Sequence, residues 1–128
     1  MAVISLPRVR HDRDGARSAT TCITALETTL GRIQLTVFRD FKAIERQWRE
    51  FMPAAACVPA QCVEWVEAWS RLVSQPSGRM PAIVCGRSAT EDILFIWPFE
   101  VTRMRGLGCL RWIGQEHANY NMGLYALP

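Results

Sequence analysis

The run I-L-F-I-W-P-F, residues 93 to 99, constrains the fold more than any other segment. It is apolar throughout, and far shorter than the roughly 18 residues a membrane-spanning helix needs. It reads as a strand. A second apolar run, M-P-A-I-V-C-G at residues 80 to 86, comes before it, and the polar turn R-S-A-T-E-D lies between. Two short apolar runs joined in this way predict an antiparallel hairpin. Pro98 has no N–H to give to a ladder, so its strand is expected to be an edge there or to carry a bulge.

The segments around this hairpin set the fold class. I-Q-L-T-V-F, residues 33 to 38, predicts a strand, and Asp40 stands where a helix N-cap belongs. Phe41, Ile44, Trp48 and Phe51 follow at helical spacing and share one face. Pro53 stops that helix. After a connector at residues 54 to 60, Q-C-V-E-W-V-E-A-W-S-R-L-V-S predicts a second amphipathic helix. Trp65, Trp69, Leu72 and Val73 are expected on its inner face, and Q-P-S-G ends it. G-C-L-R-W-I-G, residues 108 to 114, predicts another strand. A polar loop, Q-E-H-A-N-Y-N, and a last apolar run, M-G-L-Y-A-L-P, complete the chain. The order predicts an α+β fold. Its sheet is largely antiparallel, with helices at about 41–52 and 61–74 on one face. Residues 1–32 are expected to be a poorly ordered lead-in. Within them, residues 20 to 31 are ambiguous, with Thr favouring extended structure and Gly31 breaking it. Residues 33–128 form the expected lobe. Its last apolar run has no polar tail, so the lobe is expected to be cut at its C-terminal end.

Composition narrows the function classes. The 128 residues suit one domain, and 49% hydrophobic residues with 21% charged is a globular balance. The net charge is +3, but the basic residues are scattered among acids. Nucleic-acid binders concentrate charge on a face or an arm, so no nucleic-acid partner is expected. The first residues lack a secretory pattern, and no run is long enough to span a membrane. The five cysteines are an odd number without a framework. Buried reduced thiols and a cytoplasmic location are expected.

Few residue sets carry chemistry. Cys109 and His117 could pair as nucleophile and base, yet nothing in their spacing requires it; Cys109 reads as a core thiol in a strand. Cys57-x4-Cys62 lacks the paired short spacings of a zinc site, so no metal is expected. Trp48, Trp65 and Trp69 are spaced as core residues. Gln115 to Asn121 is the most polar segment between apolar strands, and loops of that kind carry function or simply turn the chain.

R-M-R-G-L-G, Arg103 to Gly108, spells Arg-x-x-Gly-x-Gly. It resembles the pyrophosphate loop of the GNAT acetyltransferase superfamily, [Q/R]-x-x-G-x-[G/A]. Such a loop must open a helix whose N-terminal N–H groups face the anion. Here Gly114 follows too soon and no helical period begins. Arg103, Gly106 and Gly108 are therefore expected to form a hairpin turn and not a cofactor site.

The wider pattern is W-R-E-F, then W-V-E-A-W, P-A-I-V, I-L-F-I-W-P-F, R-G-L-G, L-R-W-I-G and A-N-Y-N. It resembles the N-terminal part of CelD-like, cellulose-biosynthesis-type GNAT acetyltransferases, which are similar in architecture to the FemABX peptidyltransferases. The resemblance runs from about residue 33 to the end. It implies a first, degenerate GNAT-like lobe whose partner is a second lobe of the same polypeptide. Acetyl-CoA or another acyl-CoA would bind in that second lobe, and none in this chain. The parent would acylate a small-molecule, sugar or peptide amine, and this chain alone would be inactive. Asn119, Tyr120 and Asn121 would lie on the substrate side, and no catalytic base is identified. Two alternatives stay open. One is a small complete acetyl-CoA-binding domain that uses Arg103, Gly106 and Gly108. The other is a non-enzymatic interaction domain.

Overall fold

The computed structural model describes residues 22–28, 31–117 and 121–127. Its elements run β1 (Cys22–Thr28), β2 (Gly31–Phe38), α1 (Glu45–Phe51), β3 (Ala55–Ala56), α2 (Val63–Trp69), β4 (Met80–Arg87), β5 (Ile93–Met104), β6 (Leu107–Trp112) and β7 (Leu124–Ala126). The strands form one antiparallel sheet in the order β1-β2-β4-β5-β7-β3, and β6 also pairs with β5. The α+β class, the antiparallel sheet and the two helices match the sequence expectation. No helix among the described residues is long and apolar enough to cross a membrane.

Residues 22–28, assigned by sequence to the lead-in, are a strand. C-I-T-A-L-E-T forms β1 and pairs with β2 from Cys22↔Val37 to Thr28↔Gly31. Threonine and isoleucine favour extended backbone, and the adjacent strand supplies the ladder. Residues 1–21 lie outside the described residues.

The first helix follows its spacing. Asp40 accepts the N–H of Lys42 at 3.0 Å, a capping contact. A single 3-10 turn, Phe41–Ala43, precedes α1. Phe41, Ile44, Trp48 and Phe51 are all buried, as their spacing requires. Arg49 of α1 pairs with Glu45 at 2.9 Å and also reaches Glu64 at the start of α2, tying the helices at the surface.

The second helix turns a different face inward. Val63, Val66, Ser70 and Ser74 are buried, whereas Leu72 is 67% exposed. Trp65 and Trp69 are half-buried and stack on each other at 5.3 Å. That face is set within α2 itself: Val63 and Val66 are three apart, and Ser70 and Ser74 continue it at spacings of four. From Ser70 to Ser74 the backbone is a π-helix, followed by a 3-10 turn at Gln75–Ser77.

The core lies between the helices and one sheet face. There Ile83, Cys85, Ile96, Ile113 and Leu124 meet Ile44, Trp48, Val63 and Val66. Alternation sends Phe95, Trp97, Phe99, Trp112 and Tyr125 to the opposite face. No helix covers that face among the described residues. Its rings pack on one another instead, with Phe95–Trp97 and Phe99–Trp112 centroids both 4.2 Å apart.

Pro98 is neither at a sheet edge nor at a bulge. It pairs with Ile83 inside the β4–β5 ladder, and the register shift falls at Gly86/Arg87. The explanation lies on the other side of β5. There β7 pairs with Phe95 and Ile96, while β6 pairs from Phe99 onward. The two strands share one edge of β5 and part at Pro98. The Pro98 carbonyl accepts the N–H of Ile113 at 2.9 Å as the chain leaves β6. In a strand, N–H and C=O of one residue point the same way. The missing N–H therefore faces the fork, where no ladder partner is needed.

Candidate functional site

The fork places the polar loop. Residues 113 to 123 leave β6 and return as β7, so their two feet stand side by side on β5. Both feet are fixed. At the first, Ile113 is bonded to Pro98, and His117 N–H donates to Gly114 C=O at 2.8 Å. Gly114 has φ +74, and a Cβ there would collide with the Trp65 ring. At the second, a Cβ on Gly123 would collide with Trp97. One tryptophan from each side of the sheet thus closes on a glycine, and only glycine admits so close an approach.

Gln61 locks the returning foot from the helix side. It is 2% exposed. Its Nε2 donates to the carbonyls of Met122 (2.8 Å) and Gly123 (3.0 Å), and its Oε1 accepts the Val58 N–H at 2.9 Å. Its own carbonyl accepts the Trp48 indole N–H at 3.2 Å. Every polar atom of this amide is used, which suits a buried position.

A buried charge cluster lies beside the first foot. Glu100 is fully buried on the helix-covered face. Arg79 Nη1 approaches its Oε1 at 3.3 Å and Arg111 Nε at 3.1 Å. The Arg111 Nε–H is in ion-pair range but is not aligned for a hydrogen bond. Arg111 also donates through Nη2 to Glu116 in the loop, at 3.1 Å. That bond, with the charge of Arg111, holds the Glu116 carboxyl below the usual glutamate range. Glu100 Oε2 has no hydrogen-bond partner, and neither do Ser70 Oγ, Ser74 Oγ and the Trp69 indole N–H. Trp69 packs against His117, ring centroids 5.0 Å apart. A carboxylate with one free oxygen can accept a proton or hold a donor group.

The sequence-derived residues fall as follows. Asn121 is exposed, and its Nδ2 donates to the Gln115 carbonyl at 3.4 Å across the base of the loop. Asn119 and Tyr120 lie outside the described residues. Arg103, Gly106 and Gly108 are on the β5–β6 hairpin, where Arg103 pairs with Gly108 and Met104 with Leu107. Arg105 (φ +51) and Gly106 (φ +84) form its two-residue turn. Positive φ at both central positions is the type I′ geometry that matches strand twist. The next element is β6, not a helix, so a pyrophosphate would find no helix N-terminus there. These residues do not fit the cofactor loop whose letters they spell. His117 packs on Trp69, and Cys109 pairs with Thr102 in the sheet.

Glu100 escaped the sequence reading, although its signal was present. It is the lone acid in I-L-F-I-W-P-F-E-V, and it shares parity with the inward Ile96 and Pro98. An acid on the buried side of a strand is a candidate for function or for a paired charge.

A shallow depression of about 560 Å³ lies elsewhere, between α1 and the β4–β5 turn. Its guanidinium, Arg87, is already bonded to Gln47 Oε1 (2.6 Å) and the Glu91 carbonyl (3.0 Å). No family model, curated protein or solved structure matches this chain.

Proposed function

We propose that the chain is the substrate-side lobe of a GNAT-like N-acyltransferase, acting with a second lobe that takes acyl-CoA. The observation that carries this reading is the polar loop fixed at both feet beside Glu100 and its unpaired oxygen. Rigid scaffolds with polar loops are where acceptors are positioned. Asn119, Tyr120 and Asn121 would contact the acceptor, an amine on a small molecule, sugar or peptide. The Arg79–Glu100–Arg111 cluster would hold the loop's first foot through Glu116.

The test is to read the gene beyond codon 128 and express the product up to its stop codon. The expected product transfers acetyl from acetyl-CoA to an amine, and Asn121→Ala raises the KM for the amine with little change for acetyl-CoA. A stop codon directly after Pro128 would contradict the two-lobe reading. Saturable acetyl-CoA binding by these 128 residues alone would replace it with a complete small acetyl-CoA domain.

A further inference from the structure

The β5–β6 hairpin has no part in that reading, yet its surface is unusual. From Val101 to Gln115 the sequence holds three arginines and no acid. Arg111 is taken by Glu100 and Glu116. Arg103 and Arg105 are exposed and have no ion pair or hydrogen bond among the described residues. The same arm exposes large apolar side chains: Met104 at 62%, Leu107 at 71% and Leu110 at 58%. Leu110 pairs with Val101 and leaves on the opposite face, but Met104 and Leu107 stand side by side at the end of the arm.

The geometry groups them. Met104 and Leu107 are directly paired across the ladder, so their side chains leave on the same face beside the turn. Arg103 leaves on the other face, and Arg105 stands in the turn itself. The tip thus offers an apolar pair flanked by two free guanidinium groups. The type I′ turn sets this arrangement in advance, so binding would need little ordering of the backbone.

We propose that the hairpin tip, Arg103 to Leu107, docks on an anionic lipid bilayer. Met104 and Leu107 enter the interface, while Arg103 and Arg105 meet the headgroup phosphates. The acid-free arm and its two free charges supply the complementarity to an anionic surface. The apolar pair selects a bilayer over a nucleic acid, because a hydrated phosphate backbone leaves Met104 and Leu107 without a partner. Two side chains and two charges make the contact weak and reversible. The proposal is independent of the acyltransferase reading.

The test is co-sedimentation of the full chain with vesicles of phosphatidylcholine, alone or mixed with phosphatidylglycerol. Binding is expected only to the mixed vesicles and is lost at high salt. Each arginine contributes about fivefold near an anionic surface, so R103Q/R105Q should weaken binding by on the order of twentyfold or more. M104S/L107S should weaken it at least about tenfold. Both double variants should keep the wild-type circular dichroism and melting temperature, because the side chains are exposed and Gly106 is untouched. Equal binding to neutral vesicles, or no binding to either kind, would overturn the proposal. So would binding of a single-stranded oligonucleotide that M104S/L107S leaves unchanged, without vesicle binding. Self-association abolished by M104S/L107S, again without vesicle binding, would assign the tip to a second copy instead.

Discussion

The same strands build both faces of the sheet, residue by alternate residue, yet the two faces are finished differently. On the helix-covered face Ile83, Cys85, Ile96 and Leu124 are fully buried beneath Ile44, Trp48, Val63 and Val66. On the open face Phe95, Trp97, Phe99 and Trp112 remain half-buried, and what covers each ring is the next ring. Aliphatic side chains leave water only when a second layer arrives. Wide aromatic rings lying along a strand can shield one another in part, at centroid distances that suit ring–ring attraction. One face is a core; the other is a surface with aromatic paving.

This contrast sets the largest expected effect. Trp48→Ala should destabilise the chain by about 3–5 kcal/mol in urea unfolding, because it empties a site sealed by both helices. Phe99→Ala should cost less, about 2 kcal/mol, since that ring is only partly buried and leaves no sealed cavity. Equal losses would mean that the open face is covered in solution.

Glu100 tests the covered face a second way. Glu100→Ala should cost about 3 kcal/mol by leaving Arg79 and Arg111 facing an apolar gap. A neutral result would show that the two guanidinium groups simply turn to water. At the hairpin, where neither face is covered, Gly106→Ala should cost about 1 kcal/mol through its positive φ alone.

The smallest effect is pH-dependent. Arg111 lowers the Glu116 pKa in the folded chain below the unfolded value near 4.5. The contact therefore stabilises above that pH and is lost as the pH falls through the folded value. Melting temperatures of wild type and Glu116→Gln should differ slightly at neutral pH and converge in acid. A gap that persists in acid would mean that Glu116 acts by packing.

The covered face was largely legible in the sequence. The spacing of Phe41, Ile44, Trp48 and Phe51 specified it, and all four are buried although Phe41 stands in the 3-10 turn before α1. The second helix misled because its inner face, Val63, Val66, Ser70 and Ser74, ends in two serines that apolar spacing does not mark, while the larger Trp65, Trp69 and Leu72 suggested another face. The turn at Arg105-Gly106 was legible from local chemistry, since glycine marks positive φ. The fork was not. It depends on β6 and β7 sharing β5 across a long loop, and only Pro98 hinted at it by its missing donor. Glu100 was visible as a letter, but its meaning required knowing which parity of β5 faces the helices.

The central functional distinction is between the turn that spells a cofactor loop and the fork that gathers the buried polar groups. Amide NMR of the whole chain, titrated with acetyl-CoA, separates them most directly. The Arg103 to Gly108 amides are expected to stay in place up to millimolar ligand. Saturable shifts centred on Gly106 and Gly108 would contradict this.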